Sequence, residues 1–149
     1  MQATALDLSR VIRAPRDKVF TAWTDPDKLI EWWGPPGSVV QSVEVDLRQG
    51  GRYRFGILQP DGRTYHVFGV YREIERPRKL TFTWRWEQPE MDIGESLVTL
   101  LFEKETDRKT AIFLTHAQLP NEDARRNHEE GWLGILGNLN SFLSVDSGQ

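Results

Sequence analysis

The 149-residue chain contains no cysteine. This absence excludes disulfide bonds, a thiolate nucleophile and thiolate metal ligands, and it fits a reducing compartment. Residues 1–10 have neither a basic segment nor an apolar core of the kind found in signal peptides. We therefore expect a cytoplasmic protein.

Long apolar runs and a basic excess are also lacking. No uncharged apolar run approaches the roughly 20 residues of a membrane-spanning helix. The formal net charge of −3 argues against a surface for nucleic acid. The one local basic cluster, residues 76–79, is typical of a solvated turn. We expect a soluble protein that binds neither membranes nor nucleic acid.

Motifs for catalysis or metal binding are scarce. The only histidines are His66, His116 and His128, and none has the close spacing to other histidines or carboxylates that metal sites show. Ser96 and Ser141 lack the context of a nucleophile elbow. The sequence thus predicts no metal, no cofactor and no catalytic residue, which makes an enzyme the less favoured reading.

Alternation of apolar and polar residues is the main feature that is present. The clearest strand covers residues 79–87, where Leu80, Phe82, Trp84 and Trp86 share one face. Related patterns predict six further strands, at residues 4–12, 38–47, 52–58, 64–74, 96–103 and 109–116. The connections among the last six strands are short and resemble hairpins, which predicts an antiparallel sheet.

Two short helices are predicted after the first strand. Asp25 as N-cap and Pro26 at the first helical position start the second one, and the sequence at residues 34–36 ends it. That helix ends with Trp32 and Trp33, whose side chains should point about 100° apart. We expect one ring to pack inward and the other to line or gate a pocket, with the assignment open.

A long C-terminal helix is predicted for residues 122 to about 143, with residues 144–149 as a frayed tail. Its apolar stripe comprises His128, Trp132, Leu136, Leu139 and Leu143. The helix also contains Gly131, Gly134 and Gly137. Each interior glycine costs about 1 kcal/mol against alanine. These glycines indicate either that the helix approaches the sheet closely or that space is left for another molecule between the helix and the sheet.

The element order predicts an α+β fold in a single domain, residues 1–149. A curved antiparallel sheet of about seven strands should wrap around the long C-terminal helix, which covers its apolar face. The two short helices after the first strand can close one end of this arrangement.

This organisation resembles the helix-grip fold of the START-related (SRPBCC) superfamily, and within it the branch named for the activator of heat-shock-protein-90 ATPase. The resemblance is carried by residues 11–35, 50–55, 69–84 and 128–143. It implies a deep, mainly apolar pocket between the sheet and the long helix, with an opening near the two short helices.

Aromatic residues supply most of the candidate ligand contacts, since ligand sites are mainly apolar and aromatic. Taken singly, each ring fits a core of large residues better, and only together do the rings indicate the lining of a cavity. His116, His128 and the Tyr53 hydroxyl are the candidate polar contacts. The full candidate set is Trp32, Trp33, Tyr53, Phe55, Phe82, Trp84, Trp86, Leu100, His116, His128, Trp132 and Leu136.

Three functions follow as hypotheses. The leading one is binding of a small hydrophobic molecule, either a lipid or a polyketide-like compound. The second is a cyclase-like or hydrolase-like enzyme that uses His116, His128 or Tyr53. The third is a stress-related co-chaperone that acts on a heat-shock protein. The sequence is also compatible with a homodimer and does not decide between one copy and two.

Overall fold

A computed structural model describes residues 4–34 and 37–147 of the chain. The predicted helix stop at Pro35 and Pro36 and the last two residues of the predicted tail lie outside the described residues. The elements are β1 (Thr4–Ile12), α1 (Arg16–Thr24), α2 (Pro26–Trp32), β2 (Val39–Val45), β3 (Arg52–Leu58), β4 (Thr64–Glu75), β5 (Lys79–Trp86), β6 (Ser96–Thr106), β7 (Lys109–Leu119) and α3 (Glu122–Ser147).

The strands form one antiparallel seven-stranded sheet in the order β1-β7-β6-β5-β4-β3-β2. The predicted α+β fold, with its curved sheet, two short helices and long C-terminal helix, is confirmed. β6 is longer than predicted because its pairing with β7 continues to Thr106 at the tip of their hairpin, and β7 is longer at its other end because its pairing with β1 continues to Leu119. α3 also extends past the predicted end near Leu143, to Ser147.

The predicted inward face of β5 is buried. Leu80, Phe82, Trp84 and Trp86 each expose less than a tenth of their surface. Trp84 of this row packs against Trp132 of α3, so the apolar alternation of a single strand indicates which side of the sheet the helix covers.

α3 is held at its start and along its length. The Asn121 side chain accepts a hydrogen bond from the Ala124 backbone N–H at 2.9 Å, which caps the helix. Further along, the Asn140 side chain accepts one from the Arg13 backbone N–H at 3.0 Å, next to the end of β1. Among the described residues, no helix is long and apolar enough to cross a membrane.

Gly69 in β4 sits where three strands approach closely. It lies opposite Tyr53 of β3, and a Cβ atom at this position would be 2.7 Å from the Tyr53 ring and 2.0 Å from the Thr83 carbonyl oxygen of β5. No side chain fits in that space. The glycine therefore lets Tyr53 pack against the strand on the inner side of the sheet.

We predict that Gly69→Ala lowers the free energy of unfolding by at least about 2 kcal/mol, because the added methyl group meets backbone that cannot yield without moving β5. Gly131→Ala in α3 is the control, since nothing lies within 4 Å of a Cβ atom there. That variant should gain up to about 1 kcal/mol from helix propensity. Urea unfolding of both variants checks the prediction, and equal stabilities would contradict it.

Candidate functional site

All six tryptophans of the chain are buried, with exposed fractions of 1–7%. They come from α1, the end of α2, β5 and α3: Trp23, Trp32, Trp33, Trp84, Trp86 and Trp132. The ring of Trp84 packs against Trp132 at a centroid distance of 4.9 Å and against Trp86 at 5.7 Å. The sheet and α3 therefore meet through direct aromatic contact.

The adjacent Trp32 and Trp33 are both buried and have different surroundings. The Trp32 indole N–H donates to the Ala22 carbonyl oxygen at 3.0 Å, and its ring meets Trp23 edge-on at 5.0 Å. Trp32 thus fastens α2 to α1. Trp33 turns to the sheet, where it contacts Phe55 at 4.9 Å and Trp84 at 5.9 Å.

The interior between the sheet and the short helices is nearly filled. The cavity that remains there measures only about 10 Å³, and its walls include Trp33, Tyr53, Phe55 and Phe82. That is about the space of one water molecule. Large aromatic side chains occupy the place where the resemblance implied a deep pocket.

A larger space lies at the edge of this cluster, and we call it the α3 groove. It measures about 430 Å³ and lies between the first half of α3 and residues 87–95, which connect β5 to β6. Ligand sites commonly have 300–1,000 Å³. The groove is lined by Trp33, Gln59, Tyr65, Trp84, Trp86, Glu90, Met91, Ile93, Ala124, Asn127, His128, Gly131, Trp132 and Ile135.

One wall of the α3 groove is the connection between β5 and β6, which is anchored to β5 by hydrogen bonds. The Arg85 guanidinium donates to both carboxylate oxygens of Asp92, at 3.1 and 3.0 Å, and the Gly94 backbone N–H donates to the same side chain. These contacts lower the pKa of Asp92. Met91 and Ile93, on either side of Asp92, pack against the hydrophobic core.

Gly131 forms the opposite wall. A Cβ atom built there would have no neighbour within 4 Å, so the missing side chain adds directly to the open space. Of the two explanations that the sequence suggested for glycines in this helix, Gly131 fits the second, room for something between helix and sheet.

His116 is fully buried at the inner end of the cluster. Its Nδ1 accepts a hydrogen bond from the Trp132 indole N–H at 3.0 Å, which leaves the ring proton on Nε2. Nε2 then donates to the Ser96 hydroxyl at 2.7 Å, and that hydroxyl donates to the Trp84 carbonyl oxygen at 3.2 Å. Each polar atom in this chain has a partner.

His128 shows the opposite tautomer. Its Nδ1 donates to the Ala124 carbonyl oxygen at 2.8 Å, so Nε2 is free of a proton and accepts from the Trp84 indole N–H at 3.3 Å. The two imidazole rings lie 4.9 Å apart. Burial, together with His128, lowers the pKa of His116 to about 3, and burial also lowers the pKa of His128.

The Tyr53 hydroxyl is enclosed as well. It donates to the Thr83 carbonyl oxygen between β3 and β5. Burial, with a smaller effect of Tyr71, raises the pKa of Tyr53 well above its usual value. Of the three predicted polar contacts, only His128 lines the α3 groove.

Two indole N–H groups in the described part of the chain are buried without any hydrogen-bond partner, those of Trp23 and Trp86. Trp86 forms part of the wall of the α3 groove, whereas Trp23 lies outside it. Residues 4–34 and 37–147 contain no group of three or more side chains that could hold a metal ion.

The structure sorts the candidate residues into three groups. Those that line the α3 groove are Trp33, Trp84, Trp86, His128 and Trp132. Those that surround the small inner cavity without lining the groove are Tyr53, Phe55 and Phe82. The buried residues that line neither space are Trp32, Leu100, His116 and Leu136. Sequence reasoning missed Met91 and Ile93, whose only signal was apolar character inside a connection.

We predict that His116 makes stability fall as the pH is lowered. The unfolded chain takes up a proton on this residue near pH 6.5, whereas the folded chain does so only near pH 3. Between about pH 6 and pH 5, this difference should remove about 1 kcal/mol of unfolding free energy. His116→Gln cannot take up the proton, so its urea-unfolding free energy should fall less over this range. Equal slopes would contradict the prediction.

Comparison with known proteins places the chain among relatives. The family model described as Activator of Hsp90 ATPase homolog 1-like protein matches residues 13–144. The solved AHSA1 protein from Silicibacter pomeroyi is 27% identical, with a TM-score of 0.86 over 96% of this chain and 99% of that one. A protein from Chromobacterium violaceum is 25% identical, with a TM-score of 0.83 over 92% and 94%.

An HSP90 activator from Plasmodium falciparum has the same fold at 24% identity, with a TM-score of 0.73 over 94% of this chain and 96% of that one. No curated protein matches the chain. Because the family model spans most of the sequence, the chain belongs to the family of Activator of Hsp90 ATPase homolog 1-like proteins, within the helix-grip (SRPBCC) superfamily.

Proposed function

We propose that this protein binds a small, mainly apolar molecule, such as a lipid or a polyketide-like compound, in the α3 groove. The observation that carries the proposal is the aromatic wall of the groove: about 430 Å³ of space is lined by four tryptophans, next to an inner cavity of only about 10 Å³. Apolar and aromatic walls with a few polar groups are typical of ligand sites.

The helix propensity of Gly131 gives the proposal separate support. An interior helical glycine costs about 1 kcal/mol relative to alanine, and here no neighbouring atom requires it. The residue instead keeps the groove wide. The family is of a ligand-binding or co-chaperone type, which agrees with a role for this space.

We propose no reaction for the groove. A general acid or base must reach the proton that it transfers. His116 and Tyr53 are enclosed, and all three predicted polar groups already have hydrogen-bond partners. Binding without chemistry is the simpler use of this site.

The test is to fill the groove. The probe is 6-propionyl-2-dimethylaminonaphthalene, an uncharged fluorophore whose emission shifts to the blue in apolar surroundings. We predict that Gly131→Leu weakens its binding at least about tenfold, because the leucine side chain occupies the space that the probe needs. Native mass spectrometry of the freshly purified protein should show a retained ligand in the wild type and none in the variant.

Glu130→Leu is the matched control, since it adds the same side chain at the adjacent exposed position, which does not line the groove. This variant should bind the probe as the wild type does. Unchanged binding by Gly131→Leu, or equal losses in both variants, would move the binding site away from the groove and overturn the proposal.

A second candidate function is action on a heat-shock chaperone. It is favoured by the fold shared with an HSP90 activator along nearly the whole of both chains. Val11 and Phe113 also expose 44% and 45% of their surface on one face of the β1–β7 pair. Isolated exposed apolar residues are common, so this pair adds weight only together with the similarity.

If the second function operates, the purified protein should stimulate the ATPase activity of a 90-kDa heat-shock protein. Replacing Val11 and Phe113 by serine should then reduce the stimulation, because two apolar contacts are lost, while leaving probe binding in the α3 groove intact. Absence of any stimulation at a molar excess of the protein would exclude this role.

A further inference from the structure

The groove wall also indicates which kind of molecule fits. Resting on the function proposed above, we infer that the α3 groove selects uncharged molecules that carry a hydrogen-bond acceptor, such as aromatic ketones, in preference to carboxylates. Two independent features carry this inference: an unpaired donor in the wall and the absence of a cation among the lining side chains.

The donor is the indole N–H of Trp86. The side chain is 7% exposed, and its nitrogen has no hydrogen-bond partner among the described residues. The other two indoles of the sheet–α3 contact donate to histidines: Trp84 to His128 and Trp132 to His116. A buried donor without a partner is rare, and it is costly unless a ligand or water supplies an acceptor. An indole nitrogen can only donate, so the missing group must be an acceptor.

The charge of the groove disfavours an anionic acceptor. Among the described residues that line the groove there is no lysine or arginine, and Glu90 is the one side chain with a formal charge. Arg63 interacts with the lining residues Tyr65 and Glu90. Its positive charge is also balanced by Asp61, with which it forms an ion pair. A carboxylate that leaves water for this apolar site would lose its hydration and gain no cation in return.

The histidines do not supply a positive charge either. Both nitrogens of His128 are already used, one as donor and one as acceptor. A second proton on this ring would sit on Nε2, where it would face the indole N–H of Trp84. Two donors would then oppose each other, which disfavours the protonated ring. His116 is enclosed in the same way. A ligand with an uncharged carbonyl, ether or hydroxyl oxygen satisfies Trp86 without needing a cation.

The Trp86 nitrogen is shielded from solvent, so a ligand reaches it only with a small shift in the groove wall. Met91 lies in the same wall. Its unbranched side chain has three rotatable bonds and adapts its shape at little cost, which suits such a shift.

Three probes with one naphthalene ring separate the two features. 2-Acetylnaphthalene has a neutral acceptor, 2-isopropenylnaphthalene has the same shape without it, and 2-naphthoate has a charged acceptor. Binding to the full chain is measured by tryptophan quenching and calorimetry. We expect the ketone to bind about tenfold more tightly than the alkene, the factor of one hydrogen bond to a buried donor, and at least about tenfold more tightly than the carboxylate.

Trp86→Phe removes the N–H and keeps an aromatic ring, so this variant should bind the ketone and the alkene equally well. Trp23→Phe is the control, because it removes the other unpartnered indole N–H at a position outside the groove. It should keep the preference for the ketone.

The outcomes separate this inference from the function on which it rests. If the carboxylate binds as tightly as the ketone, or if the ketone has no advantage over the alkene in the wild type, the selectivity is overturned while the groove remains a binding site. If none of the three probes binds, or if Gly131→Leu binds all of them as the wild type does, the proposed function fails.

Discussion

A reciprocal pair of tryptophan–histidine hydrogen bonds joins α3 to the sheet. Trp132 of the helix donates to His116 of β7, and Trp84 of β5 donates to His128 of the helix. Each bond demands one tautomer of its histidine, and the remaining ring nitrogens donate to a serine hydroxyl and a backbone carbonyl. Since every partner is satisfied, the contact combines aromatic packing with directional bonds, which favours a single position of the helix.

The position of α3 then decides where space is left. Trp132 packs against Trp84 at a centroid distance of 4.9 Å, and the cavity that Trp84 and Trp33 help to line measures only about 10 Å³. Gly131, next to Trp132, and His128, one turn earlier in the helix, line the groove together with the connection between β5 and β6, and the space there measures about 430 Å³. The same aromatic residues that fill the interior therefore form the inner wall of the site. Trp33 and Trp84, for example, border both the small inner cavity and the α3 groove.

Much of this could be predicted from residues alone. The alternation in β5 placed Trp84 and Trp86 on the covered face. Gly131 was recognisable because an interior helical glycine has an energetic cost that calls for a structural explanation. The size of the remaining space could not be predicted, because it depends on how large rings interlock across elements that are distant in sequence. The contributions of Met91 and Ile93 were hidden for a related reason, since a connection has no periodicity from which a buried side chain can be recognised.

The hydrogen bonds of the sheet–α3 contact are complete on its inner side and incomplete on its groove side, while the Trp23 indole N–H, away from the groove, is unpaired as well. On the inner side, His116, Ser96 and Trp132 have complete hydrogen bonds, which adds to stability. On the groove side, Trp86 has an unpaired donor, and Gly131 carries the entropic cost of glycine in a helix. Two unfavourable features that meet at one open space are hard to attribute to folding alone, because a larger residue at 131 or an acceptor near Trp86 would remove them. Local departures from the most stable choice are expected where a surface serves binding.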